Sequence, residues 1–567
     1  MNAEGLKKMS NMNDFYKRFV DEAYDENGIV CKFDLALPDN YNFAYDVIDA
    51  IAGEEPDRVA LHWLGENGEE RIFTFRDLSE QSIKAANMLR DHGVEKGDAV
   101  MVVLKRHYEF WIVAYALIRL GAVLIPATCQ LMKKDYIYRF DLARVKYIIT
   151  TGEDNVTEHV DQALEEYKWM KEKFITHGSK QGWTDLLSEI EKYPCTMERI
   201  PNKSDDPMIA YFSSGTTGYP KMVLHAHSYS AAHIFTAKHW HHVSDGTVHL
   251  TVSESGWGKC AWGKMFGQLT CGATVFVYDF DRFVPENVLK VIQDHHITSF
   301  CAPPTMYRFF IKAGIEKFDL SSLKYSCVAG EALNPEVFNK WKQFTGLDLM
   351  EAFGQTETTV VLCNSYGMKP KPGSMGKPSP LYHVDLVNKD LKPVGVGETG
   401  EIVLREEYCK HPAIFKEYYR SAELTFRAWK GGVYHTGDTA YRDEDGYFWY
   451  VGRTDDLIKA SGYRIGPFEI ESILMEHPSV LECAITAAAD PIRGKVVKAT
   501  IVLTQGYEPS EELKKELQNY VKKSTAPYKY PRIVEFVDEL PKTFSGKIRR
   551  VEIRENDKKK NKQKKDK

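Results

Sequence analysis

From about residue 98 the chain alternates short β-branched runs with helical segments, and this alternation limits the fold more than any other feature. "DAVMVVLKR" is followed by a helical pattern, "AVLIPA", a second helical pattern and "VKYIITT". Further on come "ATVFVYD", a helix near 284–294, "ITSFCAPP", a helix, "YSCVAGE", a helix near 334–345 and "LDLMEAFG". Strands separated by helices can pair in parallel, since a parallel pair needs a long crossover. The expectation is an α/β protein of mainly parallel sheets covered by helices, binding its ligands beyond the carboxyl ends of the strands. The most apolar stretch, "WIVAYALIRLGAVLIPA" at 111–127, contains Arg119 and Gly121 and falls short of a membrane span. It reads as a buried helix followed by a strand.

Between about 380 and 453 the pattern changes to turns and alternating strands, which predicts a β-rich subdomain. After "GRTDDLIKASGYRIGP" a smaller α/β unit runs to about 553, with helices near 467–476 and 510–523. The organisation expected is a large N-terminal domain over 1–454, a small mobile α+β domain over 455–553 and a lysine-rich, disordered tail over 554–567. Residues 558–567 carry seven lysines and one aspartate, or +6 of an overall −6, so the remainder stands at −12. A body of that sign argues against nucleic acid as a partner. Ten cysteines without a CxxC pair read as reduced thiols, and the N-terminus lacks an apolar secretory core. A cytoplasmic enzyme is expected, and a homo-oligomer is compatible with it.

Five segments carry candidate chemistry. "YFSSGTTGYPKMVLHAH" at 211–227 has the glycines, hydroxyls and lysine of a phosphate loop, yet Pro220 precedes Lys221 and Met222 follows it, so it is not a Walker loop. "EAFGQTET" at 351–358 sets Glu357 among hydroxyls, as a hard cation such as Mg2+ would require, or as a capped helix start would. "YHTGD" at 434–438 ends in Asp438, either an acceptor for ribose hydroxyls or a turn aspartate. "GRTDDLIKASGYRIGP" adds Arg453 as a fixed-charge donor, and "LPKTFSGKIRR" presents Lys547 after a glycine.

Taken together and in this order, these segments resemble the adenylate-forming superfamily of acyl-CoA synthetases, luciferases and carrier-loading adenylation domains. The likeness spans about 40–553 and also rests on "GEALNPE" and "GRTDDLIKASGYRIGPFEIE". Its wording is nearest the medium-chain acyl-CoA synthetase branch. The resemblance implies ATP, Mg2+ and coenzyme A as cofactors, with a small carboxylic acid as the other substrate. It places Ser213, Ser214, Gly215, Thr216, Thr217, Gly218 and Lys221 around the outer phosphates. Gly330, Glu331 and Ala332, with Glu351, Ala352, Phe353, Gly354 and Gln355, would enclose the adenine side. Thr356 would approach the α-phosphate, Glu357 would bind Mg2+, and Asp438 and Arg453 would hold the ribose. Lys547 would serve adenylate formation, Asp455 is the hinge position, and Ser461, Gly462, Tyr463, Arg464 and Arg493 would face CoA.

The acyl pocket implied by the resemblance includes Trp257, Lys259, Trp262, Cys301 and Gly354. Acetyl-CoA synthetases carry a tryptophan where this chain has Gly354, so glycine is expected to open the pocket beyond acetate, and Lys259 argues against a plain long-chain tunnel. A short- to medium-chain acid, straight or branched, fits best. A benzoate-type acid or a carrier-loading reaction is the alternative. Six histidines between His225 and His242 show no zinc spacing and read as residues packed around a cleft.

Overall fold

Two large sheets realise that alternation in the computed structural model, which describes residues 12–213, 220–460, 463–490, 494–543 and 547–565. Among the described residues, one sheet has nine strands. Edge to edge they are Lys377–Pro378, Val360–Cys363, Leu349–Gly354, Tyr325–Ala329, Ser299–Ala302, Val248–Thr251, Thr274–Asp279, Val59–Gly65 and Glu70–Thr74. Its middle is parallel and its margins are antiparallel. The second sheet has eight: Glu417–Tyr418, Lys221–Ala226, Pro207–Ser213, Val123–Pro126, Ala99–Val103, Tyr147–Thr151, Glu172–Thr176 and Thr184–Asp185. Tyr147–Thr151 and Val123–Pro126 are buried along their whole length, as strands covered on both faces must be.

The stretch read as a buried helix is Glu109–Leu120, and every residue in it is buried, Glu109 and Arg119 included. The two charges sit at opposite ends and both are paired. Glu109 meets His177 Nε2 at 3.0 Å, and Arg119 grips Asp49 through both terminal nitrogens. Gly121 ends the helix at φ +67°, a left-handed position that glycine takes without strain. Trp111 and Tyr115 donate to the carbonyls of Lys264 and Met265, tying this helix to the segment that lines the candidate site.

The β-rich segment forms a four-stranded antiparallel sheet of Val384–Val387, Gly400–Leu404, Tyr434–Arg442 and Phe448–Arg453. Beyond it, Pro467–Met475 and Glu511–Ser524 are helices packed on strands Val480–Asp490, Gly494–Leu503 and Ile533–Phe536. The lysine-rich tail departs from its expectation. Arg550–Lys565 is one helix, where a disordered segment is predicted from 554 onward. Lysine is a good helix former, and Arg554–Asp456, Asp557–Lys498 and Lys560–Glu535 pairs at 2.5 Å fix the helix to the body. No helix among the described residues is long and apolar enough to cross a membrane.

One carboxyl is held against its preference. Glu351, in the middle of Leu349–Gly354, is 2% exposed, accepts the Leu333 N–H at 3.1 Å on Oε1, and its other oxygen has no partner among the described residues. Burial pushes its pKa up to about 8. The folded state therefore retains a proton that the unfolded chain releases near 4.5, and stability falls as pH rises between those values. Glu351→Gln removes that dependence. The stability difference, measured by urea unfolding, is expected to move in favour of the variant from about pH 4.5 to about 8, by up to a few kcal/mol, and then level off.

Candidate active site

The carboxyl ends of the parallel strands meet the four-stranded sheet at Asp438. Asp438 and Arg453 stand directly opposite each other across an antiparallel pair, so the hairpin itself sets an acid against a base. Asp438 is 5% exposed. Its Oδ2 receives Gln355 Nε2 at 2.6 Å and Arg453 Nη1 at 3.2 Å, and its Oδ1 receives the Tyr450 hydroxyl at 3.1 Å. Burial raises its pKa, and Arg453, Gln355 and Tyr450 work against that rise. A carboxylate offers about four lone-pair directions, and three are engaged here. A bidentate contact to a sugar diol requires one of the present donors to yield.

Gln355 extends the network to the end of strand Leu349–Gly354. It also donates to the Thr436 carbonyl at 2.8 Å and accepts from the Tyr434 hydroxyl at 2.8 Å. Two residues on, Glu357 Oε1 accepts the Tyr418 hydroxyl at 2.8 Å. Burial, followed by the charge of Glu357, pushes the Tyr418 hydroxyl far up, so it stays a donor. Tyr418 arrives on the short strand Glu417–Tyr418, which pairs with Lys221–Ala226. Its ring lies 4.6 Å from Lys221 Nζ, a cation–π contact. Ser213 stands opposite Lys221 at the end of that antiparallel pair.

His225 Nε2 lies 2.8 Å from the Thr356 carbonyl. A carbonyl only accepts, so this nitrogen carries the proton. Burial lowers the His225 pKa to about 4 and holds the ring neutral. Tyr229 stacks on His225 with centroids 3.8 Å apart, and His233 meets Tyr229 edge-on at 4.5 Å. The histidine run thus packs behind the site, as its sequence suggests. The two triads of metal-capable ligands among the described residues include none of these six histidines.

On the opposite wall Lys259 donates to the Ala329 carbonyl at 2.9 Å, one residue before Gly330 and Glu331. Burial depresses its pKa, and its charge is felt by the buried Cys301 thiol. Glu331 accepts the Thr305 hydroxyl at 2.7 Å. Trp257 caps the short helix Gly258–Cys260, and Trp262 follows at 8% exposure. Gly354 requires a correction. A Cβ there would lie 2.5 Å from Trp262 Cη2 and 2.3 Å from the Thr359 carbonyl oxygen. The room left by the missing side chain is filled by the Trp262 indole, so glycine admits the tryptophan and does not by itself enlarge the pocket.

Lys547 comes from the C-terminal part of the chain. Its backbone N–H donates to Thr543 Oγ1 at 3.1 Å, and its carbonyl accepts the Thr543 N–H at 2.8 Å. Its ammonium lies near enough to Asp438 and Lys259 to lower the pKa of each. Asp455 lies 3.8 Å from Arg453 Nε. Ser214, Gly215, Thr216, Thr217, Gly218, Ser461, Gly462 and Arg493 lie outside the described residues, as do the side chains of Tyr463 and Arg464. The structure therefore brings together Glu351 to Glu357, Asp438, Arg453, Lys259, Trp262 and Lys547.

Sequence reasoning overlooks Tyr418, Tyr434 and Tyr450. Tyr418 and Tyr434 owe their places to partners 61 and 79 residues away, Tyr450 reaches Asp438 within one hairpin, and a tyrosine in "KEYYR" or "FWYVG" carries no local sign of its role. His225 does carry a signal, the "LHAH" directly after the loop, although in sequence it reads as packing alone.

The comparisons with known proteins agree with this geometry. Residues 48–419 match the AMP-binding enzyme model, and residues 469–547 match the AMP-binding enzyme C-terminal domain. The chain is 42% identical over 533 residues to acyl-coenzyme A synthetase ACSM3, mitochondrial, of Mus musculus, covering 92% of this chain and 91% of that protein. It is 42% identical over 533 residues to acyl-coenzyme A synthetase ACSM4, mitochondrial, of Homo sapiens, with the same coverage. Among solved structures, the anthranilate CoA ligase AuaEII in complex with anthranoyl-AMP superposes with a TM-score of 0.84 at 29% identity, over 92% of this chain and 98% of that one. The chain belongs to the AMP-binding enzyme family.

Proposed function

We propose that this chain is an AMP-forming acyl-CoA synthetase for a short- to medium-chain carboxylic acid, straight or branched. The observation that carries the reading is the convergence of Glu357, Asp438, Arg453 and Lys547, from four separate segments, at the carboxyl ends of the parallel strands. In the first step an oxygen of the substrate carboxylate attacks the α-phosphorus of ATP, and the bond to pyrophosphate breaks. In the second the sulfur of CoA attacks the acyl carbon, and AMP leaves with the electron pair of the C–O bond. Two anions must approach in the first step, so the protein's part is positioning and charge neutralisation.

Asp438 and Arg453 hold the ribose end in this reading, Thr356 faces the α-phosphate, and Lys547 supplies positive charge between carboxylate and phosphate. The loop after Ser213, with Lys221 at its close, receives the outer phosphates. Glu357 suits Mg2+: one oxygen is oriented by Tyr418, and the other receives no hydrogen bond among the described residues. Bound there, the ion neutralises phosphate charge.

We place the joint between a large domain, 1–454, and a small one, 455–553, at Asp455. Support comes from the cores. The clusters built from residues up to Phe448 share no member with those built from Ile458 onward. Rotation about that joint would withdraw Lys547 and bring Ser461, Gly462, Tyr463 and Arg464 to the site for the thiol step. An aryl acid is the second reading, favoured by the aromatic wall of Trp240, Trp262 and Tyr229. A cytoplasmic location is proposed on the ten free thiols. The curated relatives' names place those proteins in mitochondria, and fractionation of cells making the full chain separates the two locations.

A carboxylate panel read by pyrophosphate release and CoA thioester formation is expected to favour short- to medium-chain acids over acetate and over benzoate. A preference for acetate would overturn the chain-length assignment, and one for benzoate would establish the aryl reading. Lys547→Ala is expected to abolish acid-dependent pyrophosphate release and to leave thioester formation from synthetic acyl-AMP. Equal loss of both would exclude Lys547 from the first step. Gly354→Ala is expected to lower kcat/KM for the preferred acid at least about tenfold, or ~1.4 kcal/mol, because the indole must move. Adding Trp262→Leu is expected to recover part of that loss, and no recovery would assign the limit to the Thr359 carbonyl.

A further inference from the structure

At the far margin of the nine-stranded sheet, two histidines and a glutamate converge away from the candidate active site. His62 stands on Val59–Gly65 and Glu70 on its antiparallel neighbour Glu70–Thr74, where Glu70 pairs with Leu64 and so shares a face with His62. His295 comes from a third element, as the C-terminal cap of helix Pro285–Asp294. His62 Nε2 lies 3.6 Å from Glu70 Oε2, and His295 Nδ1 lies 3.6 Å from Glu70 Oε1. The three ligand atoms all fall within 4.8 Å of one another.

Neither 3.6 Å contact is a hydrogen bond, and His62 Nε2 is buried with no hydrogen-bond partner among the described residues. The separations suit a shared ion instead. Ligands at about 2.0–2.2 Å in tetrahedral arrangement stand about 3.3–3.6 Å apart, the separation that each histidine already keeps from Glu70. The imidazoles are edge-to-face, with centroids 5.5 Å apart at 88°, and Phe276 packs on both rings at 4.7 and 4.9 Å. That packing restrains the rings and leaves the nitrogens directed inward.

A second triad, His107, Glu153 and His177, shows the contrast. There His107 uses Nδ1 on Asp279 at 2.8 Å and Nε2 on Thr151 at 3.2 Å, and His177 Nε2 is 3.0 Å from Glu109. Its nitrogens are committed to protein partners. Those of the margin triad lie near one carboxylate alone.

The geometry points to a zinc-class divalent metal site formed by His62, Glu70 and His295, which pins helix Pro285–Asp294 to the edge hairpin. The site is separate from the acyl-transfer chemistry, since five strand spacings, roughly 24 Å at 4.7–4.9 Å each, divide Val59–Gly65 from Leu349–Gly354. Two imidazoles and a carboxylate favour a borderline ion such as Zn2+ or Co2+ over Mg2+. Water on the solvent side of the half-exposed Glu70 completes the set.

The test uses the untagged full chain, stripped with chelator and titrated with Co2+ in millimolar Mg2+, followed by visible absorption and by displacement with Zn2+. One saturable equivalent is expected, with a metal-dependent rise in Tm. Glu70→Gln and His295→Ala are each expected to weaken binding at least about tenfold and to remove the Tm rise, while keeping the metal-free Tm. Glu153→Gln, at the second triad, is expected to leave the titration unaltered. Absence of a saturable equivalent in the wild-type chain, or binding that Glu70→Gln and His295→Ala leave intact, overturns the site.

Discussion

A buried carboxylate must be satisfied on all sides, and in this protein the requirement at Asp438 organises everything around it. Arg453 reaches it across the hairpin, Tyr450 from the same strand as Arg453, and Gln355 from the end of a different sheet. Loss of any one donor would leave an acid 5% exposed and short of partners, a state that costs several kcal/mol. The four-stranded sheet is therefore locked in register against the nine-stranded one. Because Gln355 lies two residues from Glu357, the same lock fixes where the second acid points.

Much of the architecture could be read from the chain because its parallel strands are covered on both faces. Such strands appear as unbroken apolar runs, and "VKYIITT" and "AVLIPA" correspond to Tyr147–Thr151 and Val123–Pro126. Asp438 and Arg453 are each legible in their own motif, while the ion pair between them comes from the hairpin that sets them opposite each other. The links from Asp438 to Gln355 and from Glu357 to Tyr418 span 83 and 61 residues, and nothing local announces them. Gly354 marks another limit. A glycine shows that room exists, while only the packed structure shows that Trp262 occupies it. The tail marks a third, because composition argued for disorder and three ion pairs supplied the anchoring that composition does not contain.

The polar groups behind the site are arranged to stay neutral. His225, His233 and His241 are buried, and burial lowers the pKa of each. Burial likewise holds the Glu351 carboxyl protonated near neutral pH. Charge is thereby concentrated at the front, on Lys259, Lys547, Arg453 and Glu357. A reaction that brings two anions together is served by this separation, because a neutral wall of low polarity strengthens the field of the few charges facing the substrates.

The same economy governs how the C-terminal part meets the body. Its apolar core, from Ile458 to Val534, is complete in itself. What joins it to the rest is mostly polar: Asn334 to the Ser472 carbonyl at 3.0 Å, Arg308 to Met475, and an edge-on contact of Tyr450 with Phe468 at 5.9 Å. Hydrogen bonds of this kind exchange for water at a net cost of about 1 kcal/mol each, whereas an apolar core cut in two would cost far more. Tyr450 belongs to both arrangements, since its hydroxyl serves Asp438 while its ring faces Phe468. A rotation of the small part would change the ring's surroundings and leave the hydroxyl where it is. In the reading proposed above, the Asp438 network thus remains assembled while the small part turns.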